Sequence, residues 1–453
     1  MTYNPKILEI VSKLKSFLVL PSTKVNFRVL PQDFSRASGK LDFASYCLLG
    51  VSLLKNSLAC ELYNLLTSNE LAPISKSAYS QGRYKIKHEF YQAWTQLLLS
   101  EIANLELASK KWCGYQLEAV DGTCLVLPQT KELDKKFGSH KSGTLHGKTV
   151  ETVMAKCLLR VDLLNGYVLQ SEVYNNSESE IGTFKNWLWQ LSKASICIMD
   201  RGFACLAIFA YLVAHQKPFV TRLRVGFSNQ VKAFVASNQT DSIVEFEVTK
   251  ATSFINEVSQ DSVKTVADTC IEKGTKFKLR LVKILLPTAE VEVLATNLMD
   301  QALISLEDLN ALYKQRWGVE TIIDSLKNQL LLMVFSGIKS EAILQDIYAT
   351  MFVYNLRQLL TNEAQQLVDE QIKESKRAVH AQKINQNVAL GALKTKIITL
   401  FLVKDPKEII QTLIVFFTKN KMPLAAKKVI PKREKSLAKR RNLVIQMNYK
   451  KAF

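Results

Sequence analysis

Long apolar runs are missing from this sequence. The longest, around Phe203–Ala214 and Ile409–Phe417, fall short of the roughly 20 residues that a helix needs to cross a bilayer core of about 30 Å, so no membrane span is expected. Paired cysteines are missing too. The eight cysteines (Cys47, Cys60, Cys113, Cys124, Cys157, Cys197, Cys205, Cys270) are scattered, with no C-x-x-C pair and no Cys/His cluster of zinc spacing; free thiols in a reducing compartment fit that pattern. The N-terminus carries Lys6, Lys13 and Lys15 on a helix-like pattern without an apolar core and small-residue cleavage site, so a cytoplasmic protein is expected. Acidic charge is comparatively scarce: 41 Asp and Glu stand against 60 Lys and Arg, a net charge of +19, with a pI near 9.4. Such an excess points to a polyanion, with nucleic acid the first candidate and a merely solubilising basic surface the alternative.

What is present divides the chain by period. Residues 1–110 read as a helical, DNA-binding N-terminal region, with apolar residues at three- and four-residue spacing in ILEIVSKLKSFL, FASYCLLGVSLLKNSLACELYNLL and FYQAWTQLLLSEIANLEL. Between these helices, SAYSQGRYKIK sets Arg83, Lys85 and Lys87 beside Tyr79 and Tyr84, a mixture suited to phosphate contact or to a solvated helix start. From Tyr115 the pattern becomes extended: YQLEAVDGT, then ETVMAKCLLRVDLL and YVLQSEVY flanking the hairpin signal Asn165-Gly166. A helix (IGTFKNWLWQLSK), a buried strand (SICIMD), a second helix (FACLAIFAYLVAHQ) and a strand (PFVTRLR) follow. The order βββαβαβ, with acids closing two strands, predicts an α/β ribonuclease-H-like core, its first part over 111–225. Residues 226–303 read as a β-rich insertion, 304–340 as the second part of the core, 341–425 as a helical, dimerising C-terminal region, and 426–453 as a basic tail. In that tail, residues 427–451 hold ten Lys/Arg and one acid, a composition suited to ordering on DNA.

Breaking a phosphodiester at neutral pH needs an activated nucleophile and neutralisation of the leaving oxygen, which two metal ions about 3.5–4 Å apart supply together. Mg²⁺ takes hard oxygen ligands and keeps several waters, so a few carboxylates from separate elements are enough to hold it. Asp121 is expected to end the first strand, with Gly122-Thr123 allowing a tight turn. Asp200 closes the apolar strand SICIMD, where an acid is costly unless paired or metal-bound. Either aspartate alone could equally be a turn or helix-capping residue.

The segment LYKQRWGVETIIDSLKNQLL is more specific, placing Tyr313, Arg316, Glu320 and Lys327 in the spacing Y-x2-R-x3-E-x6-K. At about 100° per residue all four fall within about 60° of one another on a continuous helix. Leu312, Val319, Ile322, Leu326 and Leu330 occupy the adjoining face, at about 180–260°. An ordinary i,i+4 pair would account for Arg316 and Glu320 but for neither Tyr313 nor Lys327.

With these residues the sequence resembles the DDE transposases of bacterial insertion sequences, the insertion-sequence-four family with its YREK signature. The resemblance spans most of the chain and rests on AVDGT, IMDRGF, FVTRLR and YKQRWGVETIIDSLK, with weaker support from SAYSQGRYK. It implies a ribonuclease-H-like core interrupted by a β-rich insertion, cut-and-paste transposition, a homodimeric synaptic complex on double-stranded DNA, and two Mg²⁺ ions, for which Mn²⁺ can substitute. Asp121, Asp200 and Glu320 would hold the metal; Tyr313, Arg316 and Lys327 would contact the transposon-end strand. The family also flips a base near the cut onto an aromatic residue of the insertion, helping a DNA hairpin to form; Phe227, Phe234, Phe246, Phe254 and Phe277 are the candidates here.

Arg201 beside Asp200 is a further candidate DNA contact. The loop FGSHKSGTLHGK adds Lys141 and Lys148, while His140 and His146 have no third metal ligand nearby. Glu178 and Glu180 are expected to favour a helix N-terminus. Two other functions share these residues: a ribonuclease-H-like nuclease without strand transfer, and an inactive DNA-binding derivative.

Overall fold

The structure is a computed structural model, and it describes residues 3–36, 39–107, 110–145, 148–258, 265–286, 290–374 and 380–424. The basic tail and His146 lie outside the described residues, as does the side chain of Lys148. Six helices come first: α1 (Lys6–Val19), α2 (Pro21–Phe27), α3 (Phe43–Val51), α4 (Leu58–Ser68), α5 (Lys76–Arg83) and α6 (Glu89–Asn104). Strand β1 (Gln116–Val126), helix α7 (Lys131–Phe137), and strands β2 (Ser139–Leu145), β3 (Lys148–Asp162) and β4 (Val168–Asn175) follow. Then come α8 (Glu180–Lys185), β5 (Ser195–Met199), α9 (Leu206–Ala214), β6 (Phe219–Leu223) and α10 (Asn229–Ala236). Strands β7 (Asp241–Glu247), β8 (Thr252–Val258), β9 (Thr265–Ile271), β10 (Lys276–Leu285) and β11 (Val291–Thr296) precede α11 (Leu306–Lys314) and α12 (Trp317–Asp324). The long α13 (Ser340–Glu374), α14 (Gln386–Leu402) and α15 (Lys407–Lys419) close the described chain. Among the described residues no helix is long and apolar enough to cross a membrane.

The chain forms two compact units, one bounded by Met1–Ala108, Leu125–Ala155 and Asp324–Phe453, the other by Ser109–Cys124 and Lys156–Ile323. In the first unit the helices from the two ends of the sequence, read above as separate regions, pack around α13. That helix is buried along most of its length, and the Trp94 indole of α6 stacks on its Phe352 ring at 3.9 Å. Its apolar surface is therefore core of the first unit.

Strand order is where the sequence reading and the fold meet. The main sheet runs β2-β3-β1-β5-β6-β11-β10-β7, with β4 on β3, and its segment β4-β3-β1-β5-β6 is that of a ribonuclease-H-like core. Strand β5 is parallel to both β1 and β6. The Asn165-Gly166 hairpin is present, with Gly166 at φ +76°, a conformation glycine adopts freely. It is wider than two residues: the Asp162 carboxylate accepts from the Leu164 and Asn165 N–H groups and from the Asn165 and Gln116 side chains.

Several expectations need correction. The FGSHKSGTLHGK segment is no loop, because Ser139–Leu145 pairs antiparallel with Lys148–Val153 as β2. The helix expected over IGTFKNWLWQLSK stops at Lys185 and a 3₁₀ turn follows at Leu188–Gln190. Lys217 closes that turn, its Nζ donating to the carbonyls of Leu188, Trp189 and Leu191 at 2.7–2.9 Å. Strands β11, β10 and β7 of the expected insertion extend the same sheet beyond β6; β8 and β9 pair separately.

Candidate active site

All three acids lie in the second unit, on elements that carry them to one face of the sheet. Alternation along a strand sends successive side chains to opposite faces. On one face Val120, Cys197, Met199 and Phe219 pack with Phe184, Ile208 and Leu212. On the other Leu117, Ile196, Ile198, Val220 and Leu294 pack with Leu309, Leu312 and Tyr313 of α11. Continuing the same alternation, by four residues from Leu117 and by two from Ile198, reaches Asp121 on β1 and Asp200 just past β5. The last register pair of β1 with β5 is Val120 with Met199, so both carboxylates leave side by side at the carboxyl edge of adjacent parallel strands.

Asp121 does not end its strand, because β1 runs on to Val126 and only its pairing with β5 stops at Val120. Gly122 is therefore not a turn glycine. It points to the opposite face, where a Cβ would lie 2.6 Å from the Glu180 Oε1 at the start of α8. Asp200 is extended (φ −70°, ψ 160°) and precedes a 3₁₀ turn at Arg201–Phe203. Arg201 is exposed there.

The helix that carries Glu320 is not continuous. Helix α11 ends at Lys314 and α12 begins at Trp317; between them three-residue bonds run from Arg316 N–H to the Tyr313 carbonyl and from Val319 N–H to the Arg316 carbonyl, at 3.0 Å each. After Asp324 the chain forms a π turn, Ser325–Gln329. The single four-residue stripe is thus corrected: the break re-aims Arg316, and the extra residue of the π turn takes Lys327 off the wheel. Lys327 is half-buried on that turn, in the first unit.

The break brings Arg316 to the acids. Its Nη2 donates to Glu320 Oε1 at 3.1 Å, and its Nη1 lies 3.9 Å from Asp121 Oδ2. The residue is only 8% exposed, its guanidinium sits 5.1 Å from the centre of the Trp317 ring, and its buried Nε has no hydrogen-bond partner. Burial works against the Arg316 charge, but Tyr313, Asp200, Glu320 and Asp121 more than offset this and raise its pKa. Burial also pushes the Asp121 carboxyl up to about 6; the Gly122 N–H, donating at 2.9 Å, and Arg316 oppose the shift, while Asp200 and Glu320 add to it. The Tyr313 hydroxyl, buried on α11, is pushed up to about 12, with Arg316 and Arg222 opposing the shift and Asp200 and Glu292 adding to it, and it remains a proton donor at neutral pH.

Other sequence candidates land elsewhere. Arg83, expected to touch DNA, is buried: its guanidinium donates to Gln345 at 2.9 Å, the Ala342 carbonyl at 3.1 Å, Asp346 at 2.9 Å and the Ser336 hydroxyl. It is a structural ion pair of the first unit and cannot reach a phosphate as it stands. Lys85 and Lys141 are exposed in that unit. Of the five phenylalanines, Phe234, Phe246, Phe254 and Phe277 are core residues, and Phe227 is half-buried against the same cluster. The exposed aromatic residue next to Arg316 is Trp317, at 61%. On the wheel of α11–α12 it falls about 40° from Tyr313, beside the polar stripe, at a position outside the four-residue spacing.

Three carboxylates gathered at one edge of the sheet, two of which add to the rise at Asp121, offer hard oxygen donors, a set suited to a divalent cation. Among the described residues one tighter cluster of metal-type ligands exists, His88, Glu89 and Glu341, with ligand atoms within 4.8 Å. Its hydrogen bonding accounts for it: Glu341 accepts from both the His88 backbone N–H and the ring Nδ1.

A family model described as a transposase DDE domain matches residues 112–356, more than half of the chain. The chain belongs to this family of DDE transposases. Such domains are metal-dependent and belong to DNA-cleaving enzymes. No curated protein matches in sequence. Among solved structures, the piggyBac transposase synaptic complex with hairpin DNA is similar at 11% identity and a TM-score of 0.44, over 93% of this chain and 88% of that one. That likeness is too slight to carry an argument about the site.

Proposed function

We propose that this chain is a cut-and-paste transposase of the insertion-sequence-four type, cleaving transposon ends and joining them to target DNA at Asp121, Asp200 and Glu320. The observation that carries this reading is the convergence of three acids from β1, the end of β5 and α12 around one arginine. Two Mg²⁺ ions, with Mn²⁺ a substitute, would be held by the three carboxylates; when bound they activate the attacking oxygen and neutralise the leaving one. Arg316, bonded to Glu320 and 3.9 Å from Asp121, keeps both carboxylates oriented, and its orphaned Nε is a donor for a backbone phosphate. Tyr313 donates its hydroxyl in the same place. Arg201, Lys85, Lys141, Lys148 and Lys327 are proposed as further contacts to double-stranded DNA, with a homodimer joining two ends.

Incubation of the protein with duplex DNA from the flanks of its gene and Mg²⁺ tests the reading. Nicked, hairpin and joined products are expected in succession. Cleavage without any joined product would favour a plain nuclease, and no cleavage with either Mg²⁺ or Mn²⁺ would favour an inactive DNA-binding derivative.

Trp317 is proposed as the ring on which an unstacked base near the cut rests. Stacking of a base on an aromatic side chain contributes about 1–3 kcal/mol. W317A should therefore slow hairpin formation about tenfold to a hundredfold, with W317F retaining part of the rate. Equal rates for W317A and the unmodified protein would exclude this role.

A further inference from the structure

Among the described residues the buried arginines Arg83, Arg280 and Arg316 each lean on a carboxylate, of Asp346, Asp241 and Glu320 respectively. Arg357 does not. It lies on α13 only 1% exposed, its Nε has no hydrogen-bond partner, and among the described residues no acid stands within ion-pair distance of it. Tyr354 supplies a ring face, its centre 4.9 Å from the guanidinium carbon, but no charge, because burial pushes its hydroxyl up to about 12 with Arg357 opposing the rise. Burial pulls the Arg357 pKa down, and Tyr354 opposes this only in part. An unpaired buried cation weakens the fold, whereas a methionine of similar length would pack there without that penalty.

What the planar fork adds is a bridge. Its Nη1 donates to Gln329 Oε1 at 3.2 Å and its Nη2 to the Ser325 Oγ at 3.3 Å, while the Ser325 hydroxyl donates to the same Gln329 oxygen at 2.7 Å. Ser325 and Gln329 are the first and last residues of the π turn, whose five-residue bond runs from the Leu330 N–H to the Ser325 carbonyl at 3.1 Å. Lys327 lies between these pinned ends, in the same unit as Arg357. A π turn holds one residue more than an α turn, so relaxing it to α would re-aim its side chains by up to about 100°. We propose that Arg357 is a positioning residue, which clamps both ends of the π turn and so fixes the direction in which Lys327 meets a DNA phosphate. The inference rests on the reading of Lys327 as a DNA contact of a transposase.

The test uses the full chain with a fluorescent duplex carrying the gene-flanking DNA, measuring thermal stability, binding across a salt series and Mg²⁺-dependent nicking. R357M should melt no lower than the unmodified protein, since the unpaired charge is gone. Its nicking should nonetheless slow about tenfold to a hundredfold, the effect of a displaced contact, and its plot of log affinity against log salt should flatten by about one, as in K327A. R357K keeps the charge but loses the fork, and should be slow as well. The double variant R357M/K327A should be no slower than K327A alone, because the two residues act through one contact. If Arg357 serves packing only, R357M will melt lower while slope and nicking stay as in the unmodified protein, or the losses of R357M and K327A will add, and the proposal is overturned. A K327A variant with normal slope and rate overturns it too, since no contact is then left to position. Should R357M not fold, S325A, which takes one acceptor from the fork, carries the same comparison with K327A. Failure of the unmodified protein to nick any duplex would instead sink the transposase reading itself, so the two failures are distinguishable.

Discussion

D121N should lower Mg²⁺-dependent DNA nicking about a thousandfold or more and, at the same time, make the metal-free protein more stable at pH 7.5. The loss follows from the role: metal assistance contributes several kcal/mol of transition-state stabilisation, and about 1.4 kcal/mol is tenfold in rate. The gain follows from the electrostatics. The Asp121 carboxyl is shifted from 3.8 up to about 6 by burial, with Asp200 and Glu320 adding to the rise. A raised carboxyl contributes stability that is fully present below its ordinary value and is lost as pH rises through about 6. Above that pH the metal-free protein carries an ionised, three-quarters-buried acid beside two others. Asparagine removes that cost, about 1–3 kcal/mol after allowance for solvent. Thermal denaturation should show the D121N advantage at pH 7.5 and its disappearance near pH 4. Added divalent cation should stabilise the unmodified protein and leave D121N unmoved. If D121N nicks at the normal rate, Asp121 is not a metal ligand.

The second large effect is on stability, and it reverses an expectation from the sequence. R83A should destabilise the first unit by about 3–5 kcal/mol, the usual consequence of removing one member of a buried ion pair. Arg83 and Asp346 are only 3% and 8% exposed. Burial of Asp346 opposes its charge, but Arg83, Lys55 and Ser336 together hold its carboxyl below the usual range. A depressed carboxyl contributes stability present above its ordinary value, about 3.9, and loses it as pH falls through the lower folded value. The gap between R83A and the unmodified protein should therefore narrow in strong acid. Replacing both partners with apolar residues of similar size, as in R83M/D346L, should recover much of the loss. Were Arg83 a DNA contact instead, R83A would melt normally and bind DNA less well.

These two cases show what could be read from the sequence. The placement of Asp121, Asp200 and Glu320 near one another was legible because each marks a local pattern: an acid two residues beyond an apolar strand position, or an acid on an amphipathic helix. The strand order was legible from alternation and one hairpin. Arg83 was misread because the residue that explains it, Asp346, is 263 positions away; beside Tyr79 and Tyr84 it looks like a surface patch. The stripe through Tyr313 and Lys327 failed for a related reason. A helical wheel assumes a straight helix, while the turn at Arg316 and the π turn after Asp324 depend on packing that no local spacing records. Strands β7, β10 and β11 have ordinary strand periodicity, and nothing in it reveals that they extend the core sheet.

The central claim, a divalent-metal centre at the three acids, is open to one direct measurement. Crystals of the full chain with duplex DNA and Mn²⁺ should give anomalous-scattering peaks among Asp121, Asp200 and Glu320, and these peaks should be absent from D121N. Peaks confined to His88, Glu89 and Glu341, or no peak at the triad while the same preparation cleaves DNA, would contradict the assignment.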